Sequence, residues 1–162
     1  MSYYEGVVHE YLRRDRALFV NTEYCVQIEP GRVLPKGTFW YCDVVTVDFR
    51  STTIFLCEIS YSKTLGALVK RLRSWDHHWA GVRNALLRDS KLPGGWKVRP
   101  WLFVPDDGLE ILKRGLASIG NANFTPRITT LDMIQPWKCV EDRTAEDLGK
   151  KKDHHISEEC WT

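Results

Sequence analysis

Residues 38–62, TFWYCDVVTVDFRSTTIFLCEISYS, constrain the fold of this chain more than any other stretch. The segment is rich in Val, Ile, Thr, Tyr and Phe, which are the residues that favour β-strands. A polar break at 50–52 divides it into two runs, near 39–49 and 53–61. Two strand-like runs separated by so short a break predict a β-hairpin.

The register of this hairpin can be predicted because side chains on a strand alternate between the two faces. With the tip of the turn at 50–51, two carboxylates, Asp43 and Glu58, lie opposite each other at the open end. Directly opposed residues have Cβ atoms about 4.5–5.5 Å apart. The pairs predicted on this face are Asp43–Glu58, Val45–Leu56 and Val47–Ile54.

Two carboxylates that close repel each other, so that one has a raised pKa or the pair holds a cation. A hard, oxygen-binding cation such as Mg²⁺ suits the pair, with water in its remaining positions. A different register would leave one carboxylate exposed, and this alternative stays open. Asp48 has the opposite parity and lies beside the turn, where we expect a solvated residue.

Periodicity and turn signals predict the other elements. Apolar residues at three- and four-residue spacing indicate helices. Pro100 favours an edge position or a bulge for the strand that contains it. Helices are expected over 3–20, 64–88 and 108–117, and further strands over 24–29, 96–104 and 124–134. The order α-β-β-β-α-β-α-β predicts an α/β fold with a mixed sheet flanked by helices.

The length of 162 residues suits one domain, which we expect over 1–137. The remaining segment, 138–162, is polar and charged and has little to bury. The sequence contains neither a signal-peptide pattern nor an apolar run of membrane-spanning length, which predicts a soluble, cytoplasmic protein without membrane association. The five cysteines include no C-x2-C pair, so neither a disulfide framework nor a zinc ribbon is indicated.

Basic residues are concentrated between Lys63 and Arg99, where nine Lys and Arg are opposed by two Asp. Such a segment can bind the phosphate backbone of a nucleic acid. A solvated helix face gives the same pattern, and the two interpretations are equally open. The candidates for contact with nucleic acid are Lys70, Arg71, Arg73, Arg83 and Arg88.

The predicted elements follow a recognisable order. A first helix carries Glu10, and a hairpin follows with Asp43 on one strand and the triplet Glu58-Ile59-Ser60 on the next. A helix and more strands come after the hairpin. Over residues 3–134 this order resembles the PD-(D/E)XK nuclease superfamily, the restriction-endonuclease-like proteins. The resemblance implies a restriction-endonuclease-like fold and metal-dependent hydrolysis of phosphodiester bonds in DNA or RNA. Glu10, Asp43 and Glu58 would then hold Mg²⁺ or Mn²⁺.

The sequence departs from the superfamily pattern at Ser60, where the motif has Lys. Lys63 and Lys70 are candidates for a relocated Lys, and Lys63 is favoured because it follows the second strand directly. We therefore expect Asp43, Glu58, Ser60 and Lys63 at the catalytic centre, with DNA as the partner. His9 lies beside Glu10 but on another side of the helix, so no shared role is expected.

Three functions remain open. The first is an Mg²⁺-dependent nuclease. The second is a weak or inactive relative that binds nucleic acid or a protein. The third is a subunit or inhibitor in a defence or mobile-element system. Many nucleases of this kind cut two strands as homodimers, and a homodimer is a further alternative.

Overall fold

A computed structural model describes residues 2–29, 40–120 and 122–135. The expected polar segment 138–162 lies outside these residues. None of the described helices is long and apolar enough to cross a membrane. In chain order the elements are α1 (Tyr3–Arg14), β1 (Leu18–Cys25), β2 (Tyr41–Asp48), β3 (Thr53–Ile59), α2 (Gly66–His77), α3 (Trp79–Ser90), β4 (Lys97–Val104), a short 3-10 turn (Asp106–Gly108), α4 (Leu109–Ala117) and β5 (Arg127–Thr130).

The five strands form one sheet in the order β1-β2-β3-β4-β5. β1, β2 and β3 are antiparallel to one another in turn, whereas β3, β4 and β5 are parallel. The parallel part requires crossover connections, and α2 with α3 provides the first of them. The expectation of an α/β fold with a mixed sheet flanked by helices is confirmed.

The β2–β3 hairpin has the register that the sequence predicts. Val45 pairs with Leu56 and Val47 with Ile54, and the ladder reaches Val44–Cys57 at the open end. The last pair before the turn is Asp48–Thr53. A shift of one residue would move every side chain to the other face, so this register decides which side chains enter the core.

Helices cover both faces of the sheet. α1 covers one face, where its buried Val8 and Leu12 belong to the same apolar cluster as Phe55 of β3. α2, α3 and α4 cover the other face, and Leu56 of β3 belongs to that cluster with Trp75 of α2. Successive residues of β3 therefore enter different cores, as the alternation of strand side chains requires.

The first predicted helix is too long. α1 ends at Arg14, Asp15 is extended, and residues 18–25 form β1, an edge strand that pairs with β2. The predicted strand 24–29 overlaps β1 only at its end. A short run with Leu18, Phe19 and Val20 fits both periods, and pairing with β2 decides in favour of the strand.

The predicted helix over 64–88 is divided in two at His78, which has φ −113° and ψ 22°. The His78 N–H donates to the carbonyl groups of Ser74 and Trp75, at 3.3 and 3.1 Å. Buried positions continue on both sides of the break, at Trp75 and Val82. The apolar spacing therefore carries no signal of the interruption.

The strand at 96–104 and the helix at 108–117 are found close to their predicted positions, as β4 and α4. β4 is an interior strand, contrary to the edge position that Pro100 favours. β5 pairs with β4 only from Trp101 onward, so Pro100 has one neighbouring strand, β3. The last strand, expected within 124–134, is limited to four residues.

The contact between α2 and α4 can be tested at Gly115, where an added Cβ would overlap Cγ2 of Val69. Because Val side chains are stiff, we expect Gly115→Ala to reduce the free energy of unfolding by about 1–3 kcal/mol. The matched control is Gly6→Ala in α1, which meets no atom within 4 Å and should stabilise by about 0.5–1 kcal/mol. Urea denaturation of both variants would measure this, and equal stabilisation by the two would contradict the packing.

Candidate functional site

The predicted acid pair lies at the open end of the β2–β3 hairpin, one residue beyond its last ladder pair, Val44–Cys57. Glu58 is buried, with 3% of its surface exposed. The Ile59 N–H donates to Asp43 Oδ2 at 2.8 Å. The Asp43 carboxylate therefore accepts the backbone donor at the point where the two strands separate, and this bond fixes it beside β3.

Glu58 receives a cation from the helical layer above it. Arg71 of α2 forms an ion pair with Glu58 Oε2, whereas the buried Oε1 has no hydrogen-bond partner among the described residues. Burial, together with the charge of Asp43, raises the pKa of Glu58 to about 8, although Arg71 acts in the opposite direction. At neutral pH the pair therefore favours a bound proton or an added cation.

Asp43 is influenced by groups from both layers of helices. Burial raises its pKa, while the Ile59 N–H and the Arg71 guanidinium act to lower it. Glu5 and His9 of α1 also act on this carboxylate. The end of the hairpin is thus a point where α1, α2 and two strands bring ionisable groups together.

His9 is a residue of this site that sequence reasoning missed. It is 7% exposed, and its Nδ1 has no hydrogen-bond partner within the described residues. Burial and the positive charge of Arg13 lower its pKa, so the imidazole is neutral at pH 7. The sequence contains one sign that His9 faces the sheet. It lies one residue after Val8 and four after Glu5, on the flank of the apolar stripe of α1.

Glu10 does not join the acid pair. It is exposed on α1, next to the buried His9. Across residues 2–29, 40–120 and 122–135, no three His, Cys, Asp or Glu side chains are grouped to hold a metal ion. The rotation of α1 turns His9 rather than Glu10 toward the sheet, and a role for Glu10 as a third metal ligand stays a prediction.

Arg71, rather than a lysine, is the cation at the acids. Lys63 and Lys70 are both exposed, whereas the charge of Arg71 acts on both Asp43 and Glu58. Ser60 follows β3, and its N–H donates to the Phe103 carbonyl at 2.9 Å. Arg71 lies three residues after Leu68, so a helical projection of the apolar stripe could have placed it beside the sheet.

Most of the residues predicted to contact phosphate have hydrogen-bond partners within the chain. Arg83 donates to the carbonyls of Gly94 and Trp96, and Arg88 donates to the Gln27 carbonyl and to Asp89. The exposed Arg73 donates to Ser118 Oγ at 3.1 Å. These arginines connect segments of the fold, so the basic segment is not one uncommitted cationic face.

Asp48 is buried, with 6% of its surface exposed, which corrects the expectation of a solvated turn residue. Its carboxylate accepts hydrogen bonds from the Arg50 N–H at 3.0 Å and the Ser51 hydroxyl at 2.8 Å. Burial acts to raise its pKa, but these donors and the Arg50 charge together lower it. The hydrogen bonds to Asp48 stabilise the turn, as those to aspartates at turns commonly do.

A scan against models of protein families finds no match, and searches of curated proteins and of solved structures find no similar protein. The chemistry of the site therefore has to be inferred from its own residues.

The raised pKa of Glu58 makes a prediction about stability. The folded state holds this proton up to about pH 8, whereas the unfolded chain releases it near 4.5. Stability should therefore fall as pH rises between these values. We expect Glu58→Gln to gain on the order of 3 kcal/mol relative to wild type between pH 5 and pH 9. Urea denaturation across this range tests it, and a constant difference would contradict it.

Asp48→Asn should show the opposite dependence. Because the pKa of Asp48 is lowered in the folded state, its charge stabilises the fold fully above the ordinary Asp value of 3.8. This stabilisation is lost as pH falls from that value through the lower pKa of the folded state. We expect the variant to be about 1 kcal/mol less stable at pH 7. The deficit should shrink toward pH 3 in the same denaturation series, and a deficit that grew on acidification would exclude this role.

Proposed function

We propose that this chain is a metal-dependent nuclease of the PD-(D/E)XK type, with Asp43, Glu58 and Arg71 at its reaction centre. The observation that carries the proposal is the meeting of two carboxylates from neighbouring strands, with a cation supplied by the next helix. The order of elements supports it, since a helix precedes the hairpin and helices and parallel strands follow. Restriction-endonuclease-like topology is part of this proposal.

The acid pair fits a divalent cation of the magnesium type. Mg²⁺ is usually held by one or two carboxylates, and waters and substrate phosphates complete its coordination. Asp43 and Glu58 supply two carboxylates, and the buried Glu58 Oε1 is an acceptor without a partner among the described residues. When bound, Mg²⁺ or Mn²⁺ polarises the scissile phosphate and lowers the pKa of a coordinated water.

Arg71 would supply the positive charge that the motif Lys supplies in the superfamily pattern. Its side chain is 23% exposed, so it reaches both the buried Glu58 and the solvent in which a phosphate approaches. A guanidinium binds phosphate oxygens through two parallel hydrogen bonds and stabilises the charge that develops on them. It cannot accept a proton, so its role is electrostatic.

His9 is a candidate to receive the proton of the attacking water. Its imidazole is neutral at pH 7, its Nδ1 has no described partner, and it interacts electrostatically with Asp43. A group with these properties can act as a general base. Ser60 is neutral and, in this arrangement, contributes through its backbone bond to β4.

One observation favours a second candidate, a relative that binds nucleic acid without cutting it. The Arg71–Glu58 ion pair occupies a carboxylate oxygen that a metal would need. If the ion pair is permanent, metal binding is weak and hydrolysis is lost. The two candidates differ in whether Mg²⁺ or Mn²⁺ competes with Arg71 for Glu58.

The deciding experiment is cleavage of plasmid DNA and of single-stranded DNA with Mg²⁺ or Mn²⁺. We expect wild type to cut only when a metal is present, and Glu58→Ala and Asp43→Asn to abolish cleavage. Arg71→Ala should reduce the rate by about 10²–10³-fold, in line with the loss of one donor to a developing oxyanion.

The matched controls are Lys97→Ala and Glu110→Gln. Lys97 is exposed and pairs with Thr53 at the turn end of the hairpin, and Glu110 is exposed on α4. Both should cut at nearly the wild-type rate. Folding of each variant is checked by circular dichroism. A folded wild type that cuts neither substrate with either metal would exclude the nuclease and favour the binding relative.

A further inference from the structure

Three tyrosines form an exposed aromatic cluster at one end of the sheet. The rings of Tyr4 and Tyr61 are stacked, with centroids 5.3 Å apart and planes at 25°. Tyr3 lies edge-on against Tyr4, with a centroid distance of 5.3 Å. Tyr61 is 53% exposed and Tyr3 55%. Two large aromatic side chains thus present much of their surface to solvent beside a third that anchors them.

This tyrosine cluster, Tyr3, Tyr4 and Tyr61, lies at the same end of the sheet as the acid pair. Tyr61 follows Ile59, the residue that donates to Asp43, by two positions. Three residues of extended chain span at most about 10 Å, so Tyr61 lies within that distance of Glu58 along the backbone. On α1, Tyr4 directly precedes Glu5, which acts on Asp43. A phosphate at the acids therefore has its neighbouring nucleotide within reach of these rings.

Exposed aromatic rings next to a phosphate-binding site suit a nucleobase. Stacking of a base on an aromatic side chain is worth a large part of the affinity of single-strand binding proteins, and it tolerates any base because each has a π-face. Bases inside a duplex are already stacked and paired, so a protein ring can stack only on an unpaired or splayed-out base. The cluster thus favours a single strand over a duplex.

Charge indicates the side from which the strand approaches. Lys63 is exposed two residues after Tyr61 in the same connection. Tyr4 also lines a groove of about 350 Å³ together with Asp106, Asp107 and Asp132. The carboxylates of this groove repel phosphates, whereas Lys63 attracts them. The backbone of a bound strand would therefore run on the Lys63 side of the rings.

We infer that the tyrosine cluster holds a base of a single-stranded nucleic acid next to the scissile phosphate, so that the substrate of the acid pair is single-stranded. This inference rests on the proposed nuclease function and adds the strandedness of its substrate. A docking site for another protein would be an alternative use of the same rings, and the experiment below distinguishes it.

The test measures binding of a fluorescein-labelled single-stranded 12-mer, and of its duplex, to the full chain by fluorescence anisotropy. Ca²⁺ replaces Mg²⁺ so that binding is observed without hydrolysis. We expect the single strand to bind more tightly than the duplex. Tyr61→Ala should weaken single-strand binding by about tenfold, the size expected for one stacked base. Tyr61→Phe keeps the ring and should bind like wild type.

Phe49→Ala is the matched control. Phe49 is 52% exposed and lies in an aromatic group with Phe19 and Trp96 at the turn of the hairpin, away from the acid pair. It should leave binding unchanged. Tyr3→Ala provides a second variant within the cluster, in case Tyr61→Ala fails to fold, and should also weaken binding.

Several outcomes would overturn the inference. The first is that Tyr61→Ala and Tyr3→Ala bind the single strand as tightly as wild type, and the second is that Phe49→Ala loses as much affinity as they do. The third is tighter binding of the duplex than of the single strand. The fourth is no binding of either oligonucleotide, and a protein would then be the remaining partner for the rings. The cleavage assay separates this failure from that of the nuclease. If wild type cuts DNA and its binding does not depend on Tyr61, the nuclease proposal is supported and the role of the tyrosine cluster is excluded. If wild type binds single strands through Tyr61 but does not cut them, the role of the tyrosine cluster is supported and the nuclease proposal is excluded.

Discussion

The antiparallel ladder between β2 and β3 is the constraint on which the rest of the structure depends. Its register sends Leu56 toward the helices on one face and Phe55 toward α1 on the other, so both cores need it. The same register brings Asp43 and Glu58 together at the open end. A shift by one residue would expose the core side chains and separate the acids. The packing of the two cores therefore also keeps Asp43 and Glu58 opposite each other.

The acid pair is held in an environment that opposes its charge. Burial raises the pKa values of Glu58 and Asp43. Arg71 acts against this for both acids, together with Cys42 for Glu58 and with the Ile59 N–H and His9 for Asp43. A fold has no need of such an arrangement for its own stability, because buried carboxylates are costly unless they are paired. Perturbed acids of this kind are commonly found at functional sites, since an added cation relieves their repulsion.

The two ends of the hairpin show how burial decides the role of an acid. Asp48 at the turn is buried among donors from Arg50 and Ser51, which keep its carboxylate charged and close the turn. Glu58 at the open end is buried with one oxygen unpartnered in the described part of the chain. The first acid is satisfied by the protein itself, and the second can still bind something else. This difference is the reason that the proposed metal site is placed at the open end.

The sequence by itself determined the hairpin, its register and the acid pair, because strand side chains alternate with a period of two and a short turn leaves few registers. It also determined the α/β order of elements. Only the tertiary structure decided that His9, not Glu10, faces the sheet, and that Arg71, not Lys63, meets Glu58. The rotation of each helix is set by packing of its whole apolar stripe, so neighbouring residues that look equivalent in sequence end on different sides. The extent of β1 was likewise decided by a contact distant in sequence, its pairing with β2, whereas the break at His78 has no signal in the apolar spacing.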